Sequence, residues 1–431
     1  MSQIFICLSV ALVGGLLMSR PAKKLGLPAV TAYLVAGLLL GPFCLGALGV
    51  PGLGFNTAEQ VAGFNIISQA ALGFIAFAIG DEFRLEQLRS MGLRVVVVGI
   101  AQAVITTIIV DLALVGLHYL NPALISLPSA ITLGAIAAAT APAATLMVVR
   151  QYKADGPLTH LLLMVVAIDD AVGLVLFSAS FGVATAMESG VVSVVSVVVE
   201  PVVEILLSLV LGGLAGFLLH HLEQFFHSRS KRRSLSLGFI FLTVGLSMVE
   251  FEVGGVHIGF SLLLTCMMAG TVFCNICHTS QEIMERVDHW TAPLNILFFV
   301  LSGAELDLGV LSKPLVLLVG VVYILSRSLG KFCGAYASCA ATGCSDKIKR
   351  HLGITLLPQA GVALGMALTA QNLADGAMVR NVVLFSVLVY ELVGPALTKR
   401  SLMAAGEIKP EGKSSSRTMN VAKRPVKLEE K

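Results

Sequence analysis

Thirteen apolar stretches, most of them about twenty residues long, run along this 431-residue chain. They lie at roughly 3–18, 27–45, 63–81, 95–118, 124–149, 159–187, 198–222, 234–250, 256–275, 290–305, 314–343, 351–373 and 381–398. A run of that length matches the thickness of a bilayer when the chain is helical. A membrane β-barrel would instead show segments of about ten residues alternating in hydrophobicity. The sequence therefore predicts an all-α polytopic membrane protein. Composition agrees: 56% of residues are hydrophobic and 13% charged, where a soluble domain carries about 25% charged. A soluble enzyme, a disordered chain and a disulfide-rich module are excluded. The 42 Gly and 15 Pro lie largely within the apolar runs, where small residues let helices approach and breaks are tolerated.

The loops set the orientation. The odd-numbered loops (19–26, 82–94, 150–158, 223–233, 276–289 and 344–350) and the tail after 398 hold 25 of the 29 Lys and Arg. The even-numbered loops hold Lys313 and Arg380, and Arg327 and Lys331 lie inside a span. Short cytoplasmic loops carry the basic excess, so the N-terminus is expected outside and the C-terminus inside. The first span lacks a positive leading segment and reads as a helix rather than a cleaved signal peptide. Residues 404–431 are polar and basic and read as a disordered cytoplasmic tail, either solvated or drawn to anionic lipid.

Three features recur at similar offsets. Gly80-Asp81-Glu82-Phe83-Arg84-Leu85 resembles Gly303-Ala304-Glu305-Leu306-Asp307-Leu308, 223 residues on. The segment around Pro142 sits opposite that around Pro358, at an offset of 216, and Asp170-Ala171-Val172-Gly173 resembles Glu391-Leu392-Val393-Gly394, at 221. The matched spans are seven apart, an odd number, so partners run in opposite directions. This is an inverted-topology repeat, an architecture of secondary transporters with a site near the midplane.

An ionisable group at mid-bilayer costs roughly 2.5–3.5 kcal/mol on insertion scales. Asp169 and Asp170 lie centrally in span six. Adjacent helical residues point about 100° apart, so the two carboxylates share a neighbourhood but face different partners. Such a pair suits a site that takes up a proton or a small cation in turn. Lys331, in mid-span eleven, is a candidate partner, and Arg327, four residues earlier on the same face, is the other. Pro142 and Pro358 break two spans at symmetric positions. The freed carbonyls, the hydroxyls of Thr140 and Thr145 and the amide of Gln359 are candidate cation ligands at the crossing. Asp111 either faces an outer vestibule or pairs locally. Glu82 either lines an inner funnel or snorkels at a helix end. Glu391 is expected to pair with a basic group of the bundle, Arg327 included.

Two motifs mislead. Cys274-Asn275-Ile276-Cys277-His278 matches a haem-attachment pattern but falls at a cytoplasmic helix end, where that chemistry does not occur. Gly394-Pro395-Ala396-Leu397 contains a triplet of intramembrane proteases, yet the central acids sit on one helix. No phosphate-binding loop is present. No cofactor, nucleic acid or enzymatic activity is expected, and the cysteines are read as free thiols.

Taken together, these residues resemble the monovalent cation:proton antiporter-2 family, over spans two to thirteen. The carriers of the resemblance are LGLPAVTAYLVAGLLLGP (25–42), GFIAFAIGDEF (73–83), the aspartate pair with a later lysine, and LLPQAGVALGMAL (356–368). The resemblance implies two crossed broken helices within a transmembrane domain spanning 1–403. It places core helices at about 63–187 and 290–398 and dimerisation helices at about 3–45 and 198–275. It implies a homodimer in the cell membrane working by elevator-like alternating access, with Na+ (also Li+) exchanged electrogenically for H+. Asp170 would carry cation and proton, Asp169 would pair with Lys331, and Thr140 would mark the first break. Some relatives carry an acid or Ser where this chain has Ala141, which leaves potassium/proton exchange as an alternative. A gated channel or sensor on the same fold is a second.

Overall fold

The computed structural model describes residues 2–25, 27–50, 54–81, 83–85, 92–189, 200–226, 228–249, 251–253, 256–277, 279–306 and 308–408. Glu82, His278 and most of the expected tail lie outside these residues.

The first four long helices are α1 (Ser2–Lys24), α2 (Ala29–Leu40), α3 (Asn65–Gly80) and α4 (Arg94–Leu120). Span five is two helices, α5 (Leu127–Ile136) and α6 (Pro142–Tyr152), followed by α7 (Pro157–Ser189). Next come α8 (Glu200–Glu223), α9 (Arg229–Ser247), α10 (Leu262–Ile276), α11 (Ser280–Glu305) and α12 (Pro314–Ala341). Span twelve is again split, into α13 (Asp346–Thr355) and α14 (Gly361–Thr369), and α15 (Gly376–Ala405) closes the fold. Thirteen helical units therefore match the thirteen apolar runs. Seven of the described helices are each long and apolar enough to cross a membrane alone.

Two boundaries differ from the sequence reading. The ninth span begins at Leu262, because Phe251–Val253 (β1) and Val256–Ile258 (β2) pair as an antiparallel hairpin in the register Phe251 to Ile258. The segment taken as the loop 276–289 is mostly helix. Ile283, Met284 and Val287, spaced three and four apart, bury against Phe273 and Leu219 and extend α11 beyond the apolar run.

Glycines set the closest helix crossings. A Cβ on Gly37 or Gly303 would overlap the backbone carbonyl of Val300 or Leu34, so α2 and α11 touch backbone to backbone. Gly80 and Gly270 do the same for α3 and α10, and Gly212 and Gly216 for α8 and α10. This is the small-residue packing that lipid-embedded helices use. It ties α1, α2, α3 and α8–α11 into one group. A second group is α4–α7 with α12–α15, where Gly330 and Gly334 of α12 lie against Thr106 and Gln102 of α4. The expected core included 63–81 and 290–305; in the structure α3 packs on α10, and α11 on α2, within the first group.

Candidate functional site

The site begins with two interrupted helices. Pro142 has no N–H and fits best in the first turn of a helix, and the residue before it avoids helical geometry. Ala141 is accordingly extended, with φ −84° and ψ 103°. Pro358 ends α13 in the same way, and the two breaks meet: the Ala141 N–H donates to the Pro358 carbonyl at 2.8 Å. Prolines alone do not make such breaks, since Pro293 and Pro395 sit inside continuous α11 and α15. The difference is what receives the freed carbonyls.

One face of α12 supplies that, through Tyr323, Arg327 and Lys331 at intervals of four. Arg327 is fully buried and donates to three carbonyls: Nε to Ala137 at 3.0 Å, Nη1 to Leu357 at 2.7 Å and Nη2 to Ala139 at 2.7 Å. Its guanidinium lies over the Tyr390 ring, 4.5 Å from the centroid. Lys331 Nζ donates to the Ala138 carbonyl at 2.6 Å. Gln359 Nε2 donates to the Ile136 carbonyl at 3.2 Å and to the Tyr323 hydroxyl at 3.0 Å. The Gln359 carbonyl oxygen accepts from Ser386 Oγ at 2.7 Å. The carbonyls of Ile136 to Ala139 and of Leu357 thus have protein donors, as buried backbone groups require.

The two aspartates are in opposite situations. Asp169 is fully enclosed and saturated: Lys331 Nζ lies 2.9 Å from Oδ2, Thr140 Oγ1 donates to Oδ2 at 2.6 Å, and Gln102 Nε2 donates to Oδ1. Lys331 also donates to Thr140 Oγ1 at 2.9 Å and to Gln102 Oε1 at 3.1 Å, closing the network. Asp170 is 6% exposed, and neither of its carboxylate oxygens has a hydrogen-bond partner among the described residues. A buried carboxylate left open in this way needs a proton or a cation.

The remaining candidates are placed as follows. Arg327 does not compete with Lys331 for the aspartates, because its planar fork of donors is spent on carbonyls. The carbonyls proposed as cation ligands are held by Arg327 and Lys331. The Gln359 amide bridges elements, and the Thr145 hydroxyl donates to the Ala141 carbonyl at 3.2 Å within its own helix. Glu391 forms no ion pair among the described residues. Asp111 packs beside Gly134 of α5, with Oδ1 unpartnered.

The family described as "Sodium/hydrogen exchanger, transmembrane" matches residues 8–404. This chain belongs to that family. The exchanger is a membrane-embedded sodium/proton antiporter and not an enzyme. The Na(+)/H(+) antiporter NhaS4 of Synechocystis sp. (strain ATCC 27184 / PCC 6803 / Kazusa) is 25% identical over 361 residues, covering 82% of this chain and 84% of its own. Two structures of the sodium proton antiporter MjNhaP1 from Methanocaldococcus jannaschii share the fold. One, at pH 8, gives a TM-score of 0.69 and the other 0.68, each at 21% identity over 94% of this chain and 98% of theirs.

Gln102, Tyr323, Ser386 and Tyr390 take part in this network and were not singled out in the sequence. Gln102 was findable: it is a lone amide in the middle of an apolar span, and such polar residues face the bundle interior. Ser, Tyr and Thr are too common in spans to give that signal.

The two helix groups meet differently at their two ends. At the basic end, Arg150 of α6 pairs with Asp288 of α11, Gln151 Oε1 accepts from the Ala29 N–H at 2.8 Å, and Tyr152 donates to the Leu27 carbonyl at 3.4 Å. At the other end a cavity of about 550 Å³ separates the groups and reaches Ala141, Pro142 and Ala360 at the crossing. The charge rule puts the latched end in the cytoplasm and the cavity outside.

Proposed function

We propose that Asp170 is the group that carries sodium and protons in turn, with Asp169 and Lys331 as its switchable neighbours. The observation carrying this reading is the asymmetry of the pair: Asp169 is saturated by Lys331, Thr140 and Gln102, and Asp170 is buried with both oxygens open. In the proton-loaded site Asp170 is neutral and the Asp169–Lys331 pair sums to zero. Sodium at Asp170 and Asp169 competes with Lys331 for Asp169, and Lys331 gives up its proton. The loaded site then carries two carboxylates, one sodium ion and a neutral amine, a net charge of −1. The two loaded forms differ by one charge, so exchange of one sodium ion for two protons is electrogenic.

Movement of α4–α7 with α12–α15 against the other helices would carry this site from one face of the membrane to the other. The latched end and the open cavity support such a rigid-body step. We place the protein in the cell membrane and expect a homodimer through the first helix group, α1–α3 with α8–α11.

The test is transport in proteoliposomes with a pH-sensitive dye. Sodium is expected to collapse a preformed proton gradient, potassium to do so far less, and an imposed membrane potential to change the rate. Asp170→Asn is expected to abolish exchange; full activity in that variant sinks the assignment. Equal rates with sodium and potassium would shift the substrate to monovalent cations generally.

A further inference from the structure

Asp170 and Glu391 stand in matched positions on α7 and α15. Each is three residues before a glycine, Gly173 or Gly394, that packs against its own half's break: a Cβ on Gly173 would lie 3.9 Å from Ala139 Cα, and one on Gly394 3.1 Å from Pro358 Cα. Three residues are about 4.5 Å of helix. The sixth and thirteenth spans run in opposite directions, so the two acids flank the crossing on opposite sides of the membrane midplane. Asp170 is on the side of the Arg150–Asp288 latch and Glu391 on the side of the cavity.

Glu391 is 4% exposed, its Oε2 has no partner, and it lines the 550 Å³ cavity. Glu305 lines the same cavity, as does Arg380. Arg380 lies against the Gln371 amide, whose oxygen, with the amide turned toward the guanidinium, accepts from Nη1 and Nε at 3.0 Å. Arg327, the nearest basic group along α12, is spent on three carbonyls. With both glutamates ionised, the charged lining sums to −1. Much of the rest is apolar, including Phe43, Leu364 and Leu368, so low-dielectric walls concentrate the carboxylate field. The volume has room for several waters, enough for a cation that keeps part of its hydration shell.

We propose that Glu391, assisted by Glu305, forms a second binding site for a monovalent metal cation in the outer cavity, the inverted-repeat counterpart of the Asp170 site. A cation reaching or leaving the crossing from this side passes Glu391. The proposal rests on the reading of Asp170 as the primary carrier, and its test separates the two.

The experiment is direct binding of radioactive sodium to the purified full chain, by scintillation proximity, with competition by unlabelled sodium. The wild-type chain is expected to bind two sodium ions, Asp170→Asn one, Glu391→Gln one, and the double variant none. Glu391→Asp is expected to regain the second ion, and Glu305→Gln to weaken it by about tenfold. Thermal melting of Glu391→Gln verifies that the fold is kept. A Glu391→Gln chain that still binds as many ions as wild type overturns the proposal, and so does a wild-type chain that binds one. Loss of an ion in Glu391→Gln with none lost in Asp170→Asn leaves this site standing and removes the primary assignment.

Discussion

Lys331 and Asp169 form an ion pair that is closed to solvent on both sides: Nζ lies 2.9 Å from Oδ2, and each side chain is 0% exposed. Removing one member of such a pair leaves an uncompensated buried charge, at a cost of about 3–5 kcal/mol. Lys331→Met is therefore expected to lower the melting temperature of the detergent-solubilised protein by several degrees. Asp169→Asn added to it is expected to recover much of the loss, because the orphaned charge is gone. A single variant as stable as wild type would contradict the pairing.

The Arg150–Asp288 pair joins α6 of one helix group to α11 of the other, beside the Gln151 and Tyr152 contacts to the start of α2. Relative motion of the groups must break it. Arg150→Cys with Asp288→Cys, oxidised to a disulfide, is expected to stop sodium/proton exchange, and reduction to restore it. Unimpaired transport in the cross-linked protein would show that this end does not open during the cycle. Half-exposed ion pairs contribute little stability, so Asp288→Asn alone is expected to leave the melting temperature within about a degree of wild type.

Much of the plan was legible because a bilayer constrains sequence strongly. Apolar runs had to be helices, basic loops had to alternate, and paired prolines at symmetric positions marked where the backbone could be interrupted. What the sequence hid was the destination of donors. Arg327 and Lys331 share one helical face, and spacing alone cannot tell which reaches a carboxylate and which reaches carbonyls. That depends on where the Ala137–Ala139 strand of backbone lies relative to α12. Gln359 was a plausible ligand by type, and became a structural bridge only once Tyr323 and Ser386 stood on either side of it. The α11 extension was missed for a related reason: its apolar residues are spaced for burial against α8 and α10 at the membrane edge, and a span search looks for continuous hydrophobicity.

Gly37 and Gly303 allow the α2–α11 contact at backbone distance. An added methyl on either would overlap a carbonyl of the partner helix, Val300 or Leu34, and neither carbonyl can rotate away. Overpacking of this kind costs about 1–3 kcal/mol. Gly37→Ala and Gly303→Ala are expected to lower the melting temperature. Gly116→Ala, where nothing lies within 4 Å of the added carbon, is expected to be neutral or slightly stabilising, since alanine is the better helix former. Equal effects at all three positions would mean that close approach does not limit α2 and α11.

Glu407 fixes the start of the helix that carries both aspartates. Its Oε1 accepts from the Leu158 N–H at 2.7 Å, and its Oε2 accepts from the Thr159 N–H and hydroxyl, each at 2.7 Å. Its backbone carbonyl accepts from the Asp155 N–H at 3.1 Å. A carboxylate here satisfies free N–H groups and meets the positive end of the helix dipole, together worth about 1–2 kcal/mol. Glu407→Ala is expected to reduce stability by that amount and to speed hydrogen exchange in the first turn of α7. Glu407→Gln keeps an acceptor but loses the charge, and is expected to fall between. A chain ending at Ile408 is expected to melt like the full protein, and one ending at Gly406 like Glu407→Ala. If both truncated chains melt alike, the cap does not hold α7 in place.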